Sequence, residues 1–262
     1  MAERFEFEAV VRVTEGRTRS PVVRFFDTES HQHTEMLVKS VGSALGSLSL
    51  CCEYFGNVIA RQMGLNTPAP HIIEIDGATA AMMNRDSRLR DAEVTIPSGV
   101  AVGCEWLRPA VLPGTTARLS GAAAEDAARI YAHDLIMQQP DRTTTNPNVI
   151  EFRGRFVAID FETSCSFLFA IVPDAAPWMV ADLPYAQKHF FRSRLRPDTV
   201  DWREVVLSML NIDTQAFTAT LANLPAAWRS DCSRVLNHVE RMNARSTDVI
   251  WQIISSVTRQ LP

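Results

Sequence analysis

Three oxygen-bearing side chains, Asp141, Asn146 and Asp160, fall within one short stretch of this 262-residue chain. Phosphoryl transfer calls for such a set. One carboxylate orients the attacking hydroxyl, while a carboxamide and a second carboxylate hold Mg²⁺ against the phosphates. The Asp-x-x-x-x-Asn spacing from Asp141 to Asn146 lets both ends of a loop turn inward. An apolar run ending at Ile159 then delivers Asp160 at a strand tip, where a rigid element positions a metal ligand better than a free loop does. Each residue also has a plain structural use: Asp141 as a turn residue after Pro140, Asn146 as the start of an Asn-Pro turn, Asp160 as a cap. The joint order of helix, loop, hairpin and Asp favours the chemical use. Asn148 competes with Asn146; the five-residue offset favours Asn146, and Asn148 is expected to stabilise the turn.

The elements that must position these residues are legible on both sides. Residues 122–139 are Ala-rich, with Ala127, Ile130, Tyr131, Leu135 and Met137 at helical spacing, and Pro140 ends the helix. Residues 149–152 and 156–159 predict a hairpin turning at Arg153 and Gly154. Upstream, residues 8–14, 22–26, 36–39, 71–75 and 100–106 predict strands. Leu48, Cys52, Phe55, Ile59 and Met63 recur at three- and four-residue steps, a helix stopped by Gly64 and by Pro68 and Pro70. The Pro- and Gly-containing segment 109–121 separates two compositions. The boundary is placed there, with a β-rich N-lobe over 1–108 and a C-lobe over 109–262 that is helical from Asp201 onward, with breaks near Asn211 and Pro225. The expected fold class is α+β.

The run Gln139-Pro140-Asp141-Arg142-Thr143-Thr144-Thr145-Asn146, followed by Ala158-Ile159-Asp160-Phe161, resembles the catalytic and metal loops of HipA-like kinases, atypical relatives of the protein kinases. The likeness extends to Arg17-Thr18-Arg19-Ser20-Pro21-Val22-Val23, to Met36-Leu37-Val38-Lys39, to Glu53 in a helix ending Met63-Gly64-Leu65-Asn66-Thr67-Pro68, and to Leu224-Pro225-Ala226-Ala227-Trp228 ahead of Arg241 and Arg245. The Val38-Lys39-Ser40 region is also similar to the actin-fragmin kinase catalytic domain.

This resemblance implies a bilobal, protein-kinase-like fold in a compact form that lacks the long HipA N-terminal domain. It implies ATP and Mg²⁺ as cofactors. Asp141 would orient the acceptor, and Asn146 and Asp160 would hold the metal. Lys39 would reach the α- and β-phosphates, paired with Glu53, because lysine is a compact charge on a flexible stem and arginine's planar fork does not replace it. Adenine would bond the backbones of Glu105 and Leu107. Thr18 and Ser20 would serve as phosphate-loop donors and as candidate self-modification sites. The sequence departs from the protein-kinase pattern in three places. A Gly-x-Gly-x-x-Gly loop is absent and only Gly16 stands in the first turn; Gln139-Pro140 stands where His-Arg would be; Glu162 replaces the glycine after Asp-Phe. The expected activity is a serine/threonine protein kinase acting on an unidentified protein substrate, with room for a regulatory partner protein. A nucleotide-binding pseudokinase scaffold and a small-molecule kinase stay open as alternatives.

Composition narrows the rest. With 26 basic and 30 acidic residues and a net charge of −4, a broadly basic nucleic-acid-binding surface is not expected. The apolar run 167–172 is too short to cross a membrane, and the charged start (Glu3, Arg4, Glu6, Glu8) does not read as a secretory signal, so a cytoplasmic protein is expected. The five cysteines have no C-x-x-C spacing and are expected as buried free thiols. Arg142 and His133 are expected to support the loop, His31 and His33 to lie in a polar connection, and Arg85, Arg88 and Arg90 to decorate a solvated hairpin. Only Lys39 and Lys188 among the basic residues are lysines, and Lys188 is read as surface.

Overall fold

The computed structural model describes residues 4–15, 18–41, 46–114, 119–169, 184–210, 212–222, 224, 226–243 and 247–262. Gly16, Arg17, Asn211, Pro225 and Arg245, all singled out in the sequence, lie outside the described residues.

The N-terminal part is a five-stranded antiparallel sheet. Its strands are β1 (Phe5–Val13), β2 (Pro21–Asp27), β3 (Gln32–Lys39), β4 (Pro70–Ile75) and β5 (Gly99–Glu105), in the order β1-β2-β3-β5-β4. Strand β5 shows how the sheet serves two cores. Ala101 faces a small cluster with Val23, Phe25, Met36, Ile73, Met83 and Leu89, whereas Val102 and Cys104 belong to the large core. This is the period of two that puts successive side chains on opposite faces. Gly103 falls on the small-cluster side, where an added Cβ would sit 2.5 Å from Ile73 Cδ1 and 2.7 Å from Met36 Sδ. A larger residue there requires the Ile73 and Met36 side chains to shift.

Helix α1 (Ser47–Gln62) belongs to the large core, with Leu50, Phe55, Ile59 and Met63 buried. The stretch expected to hold a basic hairpin instead forms α2 (Gly77–Asn84) and α3 (Ser87–Asp91). The physical reason is capping: Asp76 accepts the Thr79 amide at 2.6 Å, and Asp86 accepts the Arg88 amide at 2.9 Å, each satisfying a helix-start donor. The expectation for His33 is likewise corrected, since it lies within β3 and meets Glu8 at 2.8 Å.

After β5 the chain is mostly helical: α4 (Gly121–Ile136), the hairpin β6 (Val149–Phe152) and β7 (Arg155–Ala158), then α5 (Trp202–Met209), α6 (Thr214–Ala222), α7 (Ala226–Asn243) and α8 (Thr247–Arg259). Helix α4 is buried along most of its length and contacts α5, α8 and β7. Helix α1 packs on α7, with the Cys51 and Cys232 sulfurs 2.7 Å apart. All five cysteines are free and buried, as composition suggested. Among the described residues no helix is long and apolar enough to cross a membrane.

Candidate functional site

Strand β3 ends at Lys39, whose side chain is almost wholly buried. Its ammonium donates to Glu53 Oε2 at 3.0 Å, Asp160 Oδ1 at 2.6 Å and Glu162 Oε2 at 3.3 Å. Burial pulls the Lys39 pKa down, but Glu53, Asp160 and Glu162 outweigh it and hold it well above the ordinary lysine value. The Glu162 pKa is raised as well: burial pushes it up, the Lys39 charge opposes this, and Asp160 adds to it.

Glu53 is fixed on every side. The Phe161 amide donates to its Oε2 at 2.7 Å, and Asn57 Nδ2 and Cys104 Sγ each donate to its Oε1 at 3.3 Å. The Phe161 contact requires α1 to lie very close to the segment after β7. Gly56 permits it, since a Cβ there would meet Phe161 Cβ at 2.8 Å. Asp160 takes a left-handed backbone (φ 61), and its carbonyl accepts Gln139 Nε2 at 2.8 Å. The Thr163 hydroxyl in turn holds the Gln139 side chain.

The loop after α4 forms a second group. Asn146 Nδ2 donates to Asp141 Oδ2 at 2.9 Å, and Asn148 Nδ2 reaches the same oxygen at 3.4 Å. Asn148 therefore bonds the loop acid itself, in keeping with its expected role in the turn. Beneath the loop Arg142 is fully buried. Its Nε donates to Asp134 Oδ2 at 2.6 Å, and its Nη1 donates to the carbonyls of Asn148 and of Ile159, the latter at 3.1 Å. His189 meets the same Asp134 oxygen at 3.0 Å, and His133 meets the other at 2.9 Å. Arg142 and His133 thus support the loop, as expected. The Ile159 amide donates to Asn148 O at 3.0 Å, which ties the Asp141 loop to the residue preceding Asp160.

The Lys39 cluster opens on a cavity of about 540 Å³, within the range of small-molecule sites. Glu53, Asn57, Cys104, Glu105, Trp106, Leu107, Ile150, Ile159 and Asp160 are among its walls. Glu105 and Leu107 therefore line it, and the Glu105 amide is committed to Ala69 O at 3.1 Å. Thr18 and Ser20 are not among the lining residues; Ser20 is buried, with its hydroxyl 3.4 Å from that of Thr18. Arg12 of β1 lines the cavity instead, and no sequence signal marked it. Asn57 was discoverable, since it stands four residues after Glu53 on the same helix face. Asp134 and His189 are joined only by the fold.

The donor chemistry fits a magnesium-bound phosphate. Asp160 and Asn146 carry the hard oxygens Mg²⁺ prefers, and among the described residues no group of three or more His, Cys, Asp or Glu is arranged to hold a metal alone. No protein-family model matches this chain, and no curated protein matches it.

Proposed function

We propose that this protein is an ATP- and Mg²⁺-dependent phosphotransferase with a bilobal, kinase-like arrangement, transferring the γ-phosphate to a hydroxyl, most readily a protein serine or threonine. The observation that carries this reading is the Lys39 ammonium, itself buried behind the wall, held between Glu53 (3.0 Å) and Asp160 (2.6 Å), two residues that line a cavity of about 540 Å³. Asp141 orients the acceptor hydroxyl and takes its proton late. Asn146 and Asp160 hold the metal, which when bound neutralises charge on the phosphates. Positioning and electrostatics supply most of the rate, because the protein need form no covalent bond. The base lies against Glu105 and Leu107. Thr18 remains a candidate self-modification site, whereas Ser20 must first be uncovered.

One observation favours a second reading, a nucleotide-binding regulator that transfers nothing. Glu162 takes the third Lys39 donor, so phosphate reaches that ammonium only by displacing a carboxylate. Purified protein with labelled ATP and Mg²⁺, read for transfer to itself and to a lysate beside Asp141→Asn and Asp160→Asn, separates the two. Transfer by the native chain alone supports the kinase. Equal labelling in all three sinks the catalytic assignment, and nucleotide binding without transfer favours the regulator.

A further inference from the structure

A second recess, of about 390 Å³, shares Leu107 with the cavity described above. Leu65 and Val157, both buried, join Leu107 as an apolar floor, and Arg61, Arg153 and Arg155 stand among the lining residues as exposed cations. Each guanidinium is held by a different device. Arg61 Nη1 donates to Thr67 O at 2.8 Å. Arg155 donates Nε and Nη2 to the two Asp126 oxygens at 2.8 and 2.6 Å. Arg153 sits at the tip of the β6–β7 hairpin, where φ values of 51 for Arg153 and 74 for Gly154 make the turn, and its guanidinium lies 4.9 Å from the Phe152 ring centroid. Three cations are thus placed in advance, each with N–H groups beyond those contacts.

The acid that pairs with Arg155 is already spent. The Asp126 carboxylate also accepts Asn66 Nδ2 at 3.0 Å and the Phe156 amide at 3.1 Å, and it is almost wholly buried. Among the described residues no acid forms an ion pair with Arg61 or Arg153, in a chain whose net charge is −4. Guanidinium forks match phosphate oxygens in pairs, and fixing them before binding lowers the ordering cost.

We propose that this recess binds a phosphate monoester carried on an apolar body, the phosphate on the arginines and the body on the Leu65, Leu107 and Val157 floor. The site needs no nucleotide, so it stands or falls apart from the phosphotransferase reading. The test is calorimetric titration of the full chain, free of nucleotide, with phenyl phosphate and with inorganic phosphate. Phenyl phosphate is expected to saturate one site and to bind more tightly than inorganic phosphate. Arg61→Ala and Arg153→Ala are each expected to weaken it about tenfold, the loss of one charge-assisted hydrogen bond. Arg153→Glu, at an exposed position of the turn, should abolish binding while leaving the melting temperature near the native value, and Arg90→Ala on α3 should leave binding unchanged. Absence of saturable heat overturns the proposal. So does native-like binding by an Arg61→Ala/Arg153→Ala double variant, which would place the ligand elsewhere, and so does equal affinity for the two phosphates, which would remove the apolar floor from recognition.

Discussion

Two clusters of buried charge meet at Ile159 and Asp160, and they are built in opposite ways. In the first, the Asp134 carboxylate is sealed from solvent and surrounded by Arg142, His133 and His189, and Arg142 reaches the Ile159 carbonyl. Burial pushes the Asp134 pKa up, but the Arg142 charge and the histidine hydrogen bonds overcome it and hold the acid well below the ordinary carboxylate range. In the second, one ammonium faces three carboxylates, and the cluster is open at Asp160, whose side chain is 31% exposed. A closed, balanced cluster holds its surroundings in one geometry. A cluster with surplus negative charge beside a cavity is incomplete until a cation arrives from outside, because unpaired buried charge is costly. The same kinds of residue therefore build a closed scaffold in one place and an open, acid-rich cluster beside a cavity in the other.

The largest expected effect separates the two. Asp160→Asn should lower phosphoryl transfer about 10³-fold, or about 4 kcal/mol of barrier. It should leave thermal stability unchanged or slightly raised, since it removes one of three like charges around Lys39. Labelled-phosphate transfer and a melting curve read both. Asp134→Asn should do the reverse. Leaving Arg142 buried without its counter-charge should cost about 3 kcal/mol of stability, roughly 6 to 12 °C in melting temperature. A melting-temperature loss at Asp160→Asn exceeding that at Asp134→Asn would invert the comparison.

How much of this was legible depends on chain distance. The strand ending at Lys39, the helix carrying Glu53 and the hairpin before Asp160 each have a local period, and all three appear within a few residues of their expected bounds. The α+β division was legible for the same reason. The pair of helices over 77–91 was not, because Arg85, Arg88 and Arg90 drew attention from the caps at Asp76 and Asp86. Contacts spanning the chain left no local trace: Glu162 read only as a departure from Asp-Phe-Gly, and His189 carried no signal, although it meets Asp134 from 55 residues away. Arg12 reaches the cavity only because β1 forms the sheet edge beside β2.

Smaller effects sharpen the contrast. Glu162→Gln keeps the shape of the third carboxylate but removes its charge, so it should stabilise the fold by about 1 kcal/mol. It should also tighten nucleotide binding, because phosphate then displaces a neutral amide from Lys39. Weaker binding by Glu162→Gln would mean that the surplus charge recruits the metal rather than obstructing the phosphate. An equilibrium titration at fixed Mg²⁺ decides between these outcomes.

Acid should move the two clusters in opposite directions, with the smallest signal. Burial lowers the His189 pKa below the ordinary histidine value against the pull of Asp134, so its contribution to stability is present above the unfolded histidine pKa. That contribution is lost as pH falls through the folded value, with a limiting slope of about 1.4 kcal/mol per pH unit for one proton. Glu162 is raised, so its folded form gains a proton before its unfolded form does, and its contribution grows as pH falls toward the carboxyl range. Unfolding free energies measured from pH 7.5 to 5 should therefore decline less steeply in His189→Gln than in the native chain, and more steeply in Glu162→Gln. If both variants flatten the same limb, the two clusters titrate as one, and the division between scaffold and site drawn at Ile159 and Asp160 does not hold.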